Sequence, residues 1–308
     1  MVSINVKEIK HNIYGKCLEL TNGIVDLIIT IDTGPRVVRY GFIGRENEFC
    51  EEAPITLPVG KEEWRLMGGH RLWHSPEVYP RSYYPDNEPV ECSEVEGGVK
   101  VSQKVEPWVQ IKKEMEIFLV ESSSKVKIAH HLTNKNAWPV ELAAWALTVM
   151  APGGLEIVPQ PRQYTGLLPN RVIALWPYSR MNDPRVYWGE RYILLKQDPE
   201  ISNPFKFGIA NQDGWAAYLN HGNLFIKRFN HQVDAKYPDY SVSYETYINN
   251  YILEMESLSP LTLLEPEATV SHVEEWELIE DVAKNYKNEI EVKDEDILEE
   301  IIKKSICC

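Results

Sequence analysis

Short apolar or alternating runs, each broken by turn residues, follow one another from residue 4 to about residue 278. Residues 23–30 and 99–105 are two examples, and β-branched and aromatic side chains dominate such runs. A period of two is typical of strands, and no amphipathic helical pattern interrupts the series. Strands without intervening helices must cover their apolar faces with other strands. The sequence therefore predicts an antiparallel all-β sandwich or barrel.

The last segment has a different pattern. Residues 294–304 begin with acidic side chains, carry apolar residues at helical spacing and end with two lysines. This arrangement complements a helix dipole and predicts a short C-terminal helix. We expect one β domain over residues 1–282 and a helical extension over residues 283–308 that packs on it. No repeat or flexible linker divides the rest of the chain.

Charge and cysteine usage narrow the function classes. The net charge is −14, and no cluster of lysines and arginines offers a footprint for nucleic acid. The five cysteines have no metal-binding spacing. The N-terminus lacks an apolar signal core, and no run is long enough for a membrane span. We therefore expect a cytoplasmic protein without nucleic-acid or membrane partners; the sequence does not indicate its oligomeric state.

Residues 68–77 concentrate more chemistry than any other stretch. If the segment is extended, His70 and His74 share one face and Arg71 and Trp73 share the other. Imidazoles exchange protons near neutral pH, Arg donates to oxygen-rich ligands, and Trp offers a flat face to a sugar ring. The helical zinc-protease pattern needs Glu where Arg71 stands, so we predict no metal. The alternative is that both histidines are buried hydrogen-bonding residues.

Two further groups of residues are candidates. Glu254 and Glu256 alternate on one face of an expected strand. If that face lines a cleft, their mutual repulsion would raise the pKa of one of them and suit it to acid–base work; if it faces solvent, they are ordinary surface charges. A looser set of aromatic and polar residues has the composition of a carbohydrate site, which pairs ring faces with hydrogen-bonding groups. From that set we select Trp145, Arg162, Asp213 and Lys227 as substrate-binding candidates. Dinucleotide-binding, phosphate-loop and serine-elbow motifs are absent, so no cofactor is predicted.

Three places carry a resemblance to a known family. Residues 68–74 look like a glycine-rich cleft motif, and residues 131–134 followed by 139–142 look like a central strand pair. Glu254 followed by residues 264–267 is similar to a catalytic Glu followed by a Leu-x-Pro-Gly-Glu turn, here without the Gly. The chain thus resembles the galactose mutarotase-like superfamily, which contains aldose 1-epimerases and hexose-6-phosphate mutarotases.

The resemblance implies a two-sheet β-supersandwich with a sugar-binding cleft and an anomer-interconverting chemistry. In that chemistry a carboxylate takes the proton of the anomeric hydroxyl while an imidazolium protonates the ring oxygen. Glu254 matches the base. The family's acid histidine belongs to the strand after residues 139–142, where this chain has Ala143, Ala144, Trp145 and Ala146. His70 or His74 is therefore expected to supply the proton from across the cleft.

The resulting hypothesis is an epimerase acting on a free sugar or sugar derivative. Glu254 would be the base, His74 or His70 the acid, Arg71 a clamp, and Trp73 a stacking face, with Glu256 beside the base. The alternative is a non-catalytic sugar-binding module or sensor on the same scaffold, as the missing acid suggests. A polysaccharide lyase or hydrolase relative is a third possibility, which rests on analogy of fold alone.

Overall fold

The computed structural model describes residues 4–282 and 295–306, and nearly all of its regular structure is β. The first half contains β1 (Asn5–His11), β2 (Gly15–Thr21), β3 (Val25–Thr30), β4 (Val37–Phe42), β5 (Ala53–Val59), β6 (Glu62–Met67), β7 (Gly69–Ser75), β8 (Glu91–Val95), β9 (Gly98–Ser102), β10 (Ile111–Leu119), β11 (Val126–Asn134) and β12 (Val140–Met150). The second half contains β13 (Leu155–Pro159), β14 (Ile173–Leu175), β15 (Val186–Trp188), β16 (Tyr192–Lys196), β17 (Phe205–Ile209), β18 (Trp215–Asn220), β19 (Asn223–Phe229), β20 (Tyr244–Ile248), β21 (Leu253–Leu258), β22 (Thr262–Leu264) and β23 (Thr269–Ile279). The helical elements are a 3₁₀ turn (Arg81–Tyr83), the single turn α1 (Pro238–Ser241) and α2 (Glu295–Ile306).

Two large antiparallel sheets form the body of the molecule. One runs in the order β1-β2-β3-β4-β7-β12-β21-β20-β17-β14, with β22 also paired to β12. The other runs in the order β15-β16-β13-β18-β19-β23-β11-β10-β9-β8, and β5 and β6 form a separate hairpin. The predicted all-β, two-sheet architecture with a C-terminal helix is confirmed.

The main apolar core lies between the two sheets. Tyr40 of the first sheet packs against Trp276 and Phe225 of the second, with ring centroids 5.9 and 6.0 Å away. Phe49 completes the cluster at 5.2 Å from Trp276. Because successive side chains of a strand point to opposite faces, each strand of the first sheet supplies one set of residues to this core and another set to the outer face.

The paired glycines before the histidine-rich segment are required by close backbone contacts. A Cβ on Gly68 would lie 2.1 Å from the carbonyl oxygen of Cys50, and one on Gly69 would lie 2.1 Å from that of Val37. Gly69 also has a φ of +66°, in the left-handed region that favours glycine. The backbone therefore approaches closely at this pair, and the start of β7 is set against β4.

Helix α2 packs on the outer face of the second sheet. Leu298, Ile301 and Ile302 join an apolar cluster there with residues of β13 and β16. The side chain of Glu295 accepts hydrogen bonds from the backbone N–H groups of Arg191 and Tyr192, both at 2.9 Å. The predicted helix thus forms close to its expected bounds. The proposed boundary at residues 282/283 stays a prediction, since residues 283–294 lie outside the described part.

Candidate functional site

A cleft of about 390 Å³ opens on the outer face of the first sheet, a volume within the usual range of small-molecule sites. Strands β7, β12, β21, β20 and β17 form its floor, and the β5–β6 hairpin forms one wall. Its wall is strongly aromatic, with seven rings around the charged groups described below: Trp64, Trp73, Tyr83, Trp145, Trp176, Tyr178 and Tyr247. A larger cavity of about 590 Å³ elsewhere has Tyr14 as its one aromatic lining residue.

Period-two alternation decides which side chains reach this cleft. Arg71 and Trp73 of β7 line it, as do Glu254 and Glu256 of β21. Trp145 lies opposite Trp73 in the register of the neighbouring strand, and the two indoles meet edge to face at 5.4 Å. The structure therefore brings together five of the residues selected from the sequence.

Arg71 and Glu254 form a buried ion pair at the floor of the cleft. Arg71 Nη2 donates to Glu254 Oε1 at 3.2 Å, and the guanidinium lies 4.3 Å from the centroid of the Trp73 ring. Burial raises the pKa of Glu254 to about 7, because the opposing attraction of Arg71 is partly offset by repulsion from Glu256. Glu254 is therefore a carboxyl group that can both accept and release a proton near neutral pH.

Lys206 forms ion pairs with two acidic residues of the cleft, Glu245 and Glu256. Glu245 and Glu256 are direct neighbours across β20 and β21, where like charges repel. The ammonium of Lys206 on β17 lies 2.8 Å from a carboxylate oxygen of each, and Trp145 Nε1 donates to Glu256 at 2.9 Å. Burial acts against its charge, but the two carboxylates raise the pKa of Lys206 well above its ordinary value. Lys206 is therefore a protonated ammonium in the cleft at neutral pH.

The structure does not bring His70 and His74 to the cleft, which corrects their expected placement. Both point from the other face of β7 into the space between the sheets and are at most 3% exposed. His70 hydrogen-bonds to His130 Nε2 at 2.7 Å and Thr148 Oγ1 at 2.8 Å. Burial lowers the pKa of His74 to about 3 and that of His70 well below its ordinary value. These imidazoles are neutral at pH 7. His70 is a buried hydrogen-bonding residue, as the alternative expects, whereas Nε2 of the buried His74 has no hydrogen-bond partner within the described residues.

Three substrate-binding candidates also lie away from the cleft. Arg162 lies over the Tyr192 ring near α2, with its guanidinium 5.5 Å from the ring centroid. Asp213 occupies an exposed turn between β17 and β18. Lys227 is fully buried between the sheets, where its ammonium lies 2.9 Å from Glu274 Oε1. The sequence could not show that these three residues lie away from the cleft, because their position in the fold depends on which strands pair.

His70, His130 and Glu274 have ligand atoms within 4.8 Å of one another, a grouping that could hold a metal ion. The donors are already engaged, however. Glu274 accepts hydrogen bonds from Lys227, from Ser257 at 2.5 Å and from Trp276 at 2.8 Å. An ammonium beside this carboxylate repels a second cation. The cluster is best described as a buried polar network that joins the two sheets.

Sequence reasoning missed Lys206, Glu245 and the aromatic residues Trp64, Tyr178 and Tyr247. A signal was present for the first two. Lys206 stands between Phe205 and Phe207, and Glu245 lies in a strand that is otherwise uncharged. A lone charge at the outward position of an apolar strand indicates either solvent or a cleft, and only strand pairing distinguishes them.

Solved structures with this architecture support the description of the fold. A galactose mutarotase-like protein from Lactobacillus casei superposes with a TM-score of 0.51 at 10% identity, over 89% of this chain and 100% of that one. A galactose mutarotase-like protein from Clostridium acetobutylicum gives 0.50 at 9% identity, over 90% and 99%. No helix in the described residues is long and apolar enough to cross a membrane.

A TPR-domain containing protein from Parabacteroides distasonis gives a TM-score of 0.60 at 12% identity, over 86% of this chain. The chain spans about half of that protein, with 47% of it covered. No protein-family model matches the sequence, and no curated protein matches it. Identities this low establish the shared fold and leave activity to be argued from the site.

Proposed function

Because the chain has the galactose mutarotase-like fold, we propose that its aromatic cleft binds a carbohydrate and interconverts the anomers of that sugar. The observation that carries the proposal is Glu254, a buried carboxyl group in the cleft whose pKa is raised to about 7. Sugar rings present apolar C–H faces together with hydroxyl edges. The indoles of Trp73 and Trp145 suit the faces, and Arg71 suits the hydroxyls.

The proposed chemistry uses Glu254 and Lys206. Glu254 takes the proton of the anomeric hydroxyl, the bond between C1 and the ring oxygen breaks, and Lys206 donates a proton to that oxygen. After rotation about the bond to C1 the ring closes, the ring hydroxyl returns its proton to Lys206, and Glu254 returns its own to the new anomeric oxygen. The two residues lie on one face, two strands apart, which separates their backbones by roughly 10 Å and leaves space for a sugar ring.

Lys206 takes the role that the sequence assigned to a histidine. Its raised pKa means that it donates only to a strongly basic oxygen, such as the alkoxide that develops when the ring opens. Anomer exchange measured by saturation-transfer NMR over a panel of aldoses tests the proposal. Exchange faster than in buffer for at least one sugar supports it, and buffer rates for every sugar would overturn it.

A non-catalytic sugar-binding module is the second candidate. It is favoured by one observation: the cleft's two cations, Arg71 and Lys206, are both held in ion pairs, and no imidazole lines the wall within the described residues. Calorimetry separates the candidates. A binding module holds a sugar with the same affinity in wild type and Glu254→Gln and shows no exchange in either.

The pH profile of exchange should reflect ionisation of Glu254. A base acts only when deprotonated, so kcat/KM is expected to be constant well above pH 7 and to fall about tenfold per pH unit below it. Exchange rates measured between about pH 5 and pH 9 would show this. A rate that instead falls as the pH rises through 7 would mean that Glu254 acts as the acid.

The His74→Gln variant should retain anomer exchange within about threefold of wild type. The side chain is buried behind β7 and its imidazole is neutral, so it can neither touch the sugar nor donate a proton from an imidazolium. Exchange rates of the purified variant, with circular dichroism to verify its fold, provide the measurement. A loss greater than about tenfold in a folded variant would restore the histidine to the mechanism.

A further inference from the structure

A second cavity of about 240 Å³ adjoins the cleft. The two share Glu77, Tyr83, Trp145 and Trp176, so a single ligand can occupy both. The remaining wall includes Asp239 and Glu245. Three carboxylates and four aromatic rings therefore line this cavity, and none of its lining residues is a lysine or an arginine. Its chemistry differs from that of the cleft floor, where Arg71 is paired with Glu254.

Glu245 offers a buried acceptor that the protein leaves unused. It is 1% exposed, and one of its carboxylate oxygens receives Lys206 at 2.8 Å. The other, Oε1, has no hydrogen-bond partner in the part of the chain that the structure describes, and the same holds for Oε1 of Glu256. A buried carboxylate oxygen without a donor is costly. It indicates a donor that arrives with the ligand.

The charges around the cavity indicate whether the ligand's donor group is neutral or positively charged. Glu77, Asp239 and Glu245 line the cavity and Glu256 lies beside it, while Lys206 is the one ammonium that bridges this group. Burial raises the pKa of Glu245 well above its ordinary value against the attraction of Lys206, so its charge is left out of this balance. Glu77, Asp239 and Glu256 against Lys206 still leave negative charge in excess. The ammonium of Lys206 already lies 4.7 Å from the ring centroids of both Trp145 and Trp176, which is a favourable environment for a cation.

We propose that this cavity is a subsite for a protonated amine and that the carbohydrate bound in the cleft is an amino sugar. The inference rests on the proposed function, since it places the rest of the sugar in the cleft. The ammonium would donate to the free oxygen of Glu245 and lie near Asp239, with the two indoles at its side. A sugar phosphate or uronate would meet repulsion at the same place.

The test compares 2-amino-2-deoxyhexoses with their parent hexoses. Calorimetry at about pH 6.5, where the amines are protonated, would measure glucosamine, galactosamine and mannosamine against glucose, galactose and mannose. At least one amino sugar is expected to bind about tenfold more tightly than its parent. In Asp239→Asn that preference should fall about fivefold or more. Asn tolerates the left-handed conformation that Asp239 adopts, with φ of 49°.

Asp234→Asn is the matched control. It removes the same charge from the same loop, but Asp234 is exposed and lines neither cavity, so the preference should be unchanged. Parent hexoses that bind as tightly as their amino sugars would overturn the inference and leave the proposed function intact. Failure of every sugar to bind would overturn both. If Asp234→Asn reduced the preference for amino sugars as much as Asp239→Asn does, the inference would also be overturned. The preference would then reflect only the net negative charge of the protein.

Discussion

In the Glu254→Gln variant, anomer exchange is expected to fall by about 10²–10⁴-fold, the usual contribution of a general base. The amide keeps the size of the side chain and an oxygen that can still accept from Arg71, whose Nη2 lies 3.2 Å away. It cannot accept the proton of the anomeric hydroxyl. Saturation-transfer NMR gives the rate, and calorimetry shows whether the sugar still binds.

Glu141→Gln provides the control for this variant. Glu141 is an exposed carboxylate on β12, outside the cleft, and it lies 3.8 Å from the ammonium of Lys236. Exchange should be unchanged in it. A Glu254→Gln variant that binds sugar and retains more than about a tenth of wild-type exchange would contradict the role given to Glu254.

Lys227→Met is expected to destabilise the protein by about 3–5 kcal/mol. Lys227 and Glu274 are both fully buried between the sheets. Burial alone would raise the pKa of Glu274, but the ammonium of Lys227 holds it well below its ordinary value. Removing the ammonium leaves a buried carboxylate without its counter-ion. The free energy of unfolding from denaturant titration is the measurement.

Lys125→Met tests whether this loss is specific to the buried pair. Lys125 faces Glu277 at 3.5 Å on the surface, with half of its side chain exposed, and exposed pairs of this kind contribute about 0–1 kcal/mol. The double variant Lys227→Met/Glu274→Gln should cost less than the sum of the two single changes. A cost below about 1 kcal/mol for Lys227→Met would contradict the account of the network.

The sequence predicted much of the fold because strand periodicity is local. Alternation in β7 correctly separated His70 and His74 from Arg71 and Trp73. It could not say which set faces the cleft, because every residue of β7 is buried and neither face is marked by exposed polar residues. The hypothesis that put all four side chains in one site was therefore wrong, because side chains on opposite faces of a strand cannot line the same cleft.

The rest of the site depends on pairings between distant strands. Lys206 acquires its importance because β17, β20 and β21 are adjacent and bring Glu245 and Glu256 to its ammonium. Nothing near Lys206 in the sequence encodes that adjacency. Glu254 was accessible to sequence reasoning because its own alternation with Glu256 and its similarity to a known motif both lie within a few residues of it.

We propose that proton transfer occurs on the Arg71 face of β7 and not on the histidine face. The most direct test is the ratio of anomer-exchange rates of His74→Gln and Glu254→Gln, measured on the same sugar at about pH 8. The ratio should be at least about 30, because Glu254→Gln is expected to lose at least about 100-fold and His74→Gln at most about threefold. A ratio of one or less would place the chemistry on the histidine side and contradict this proposal.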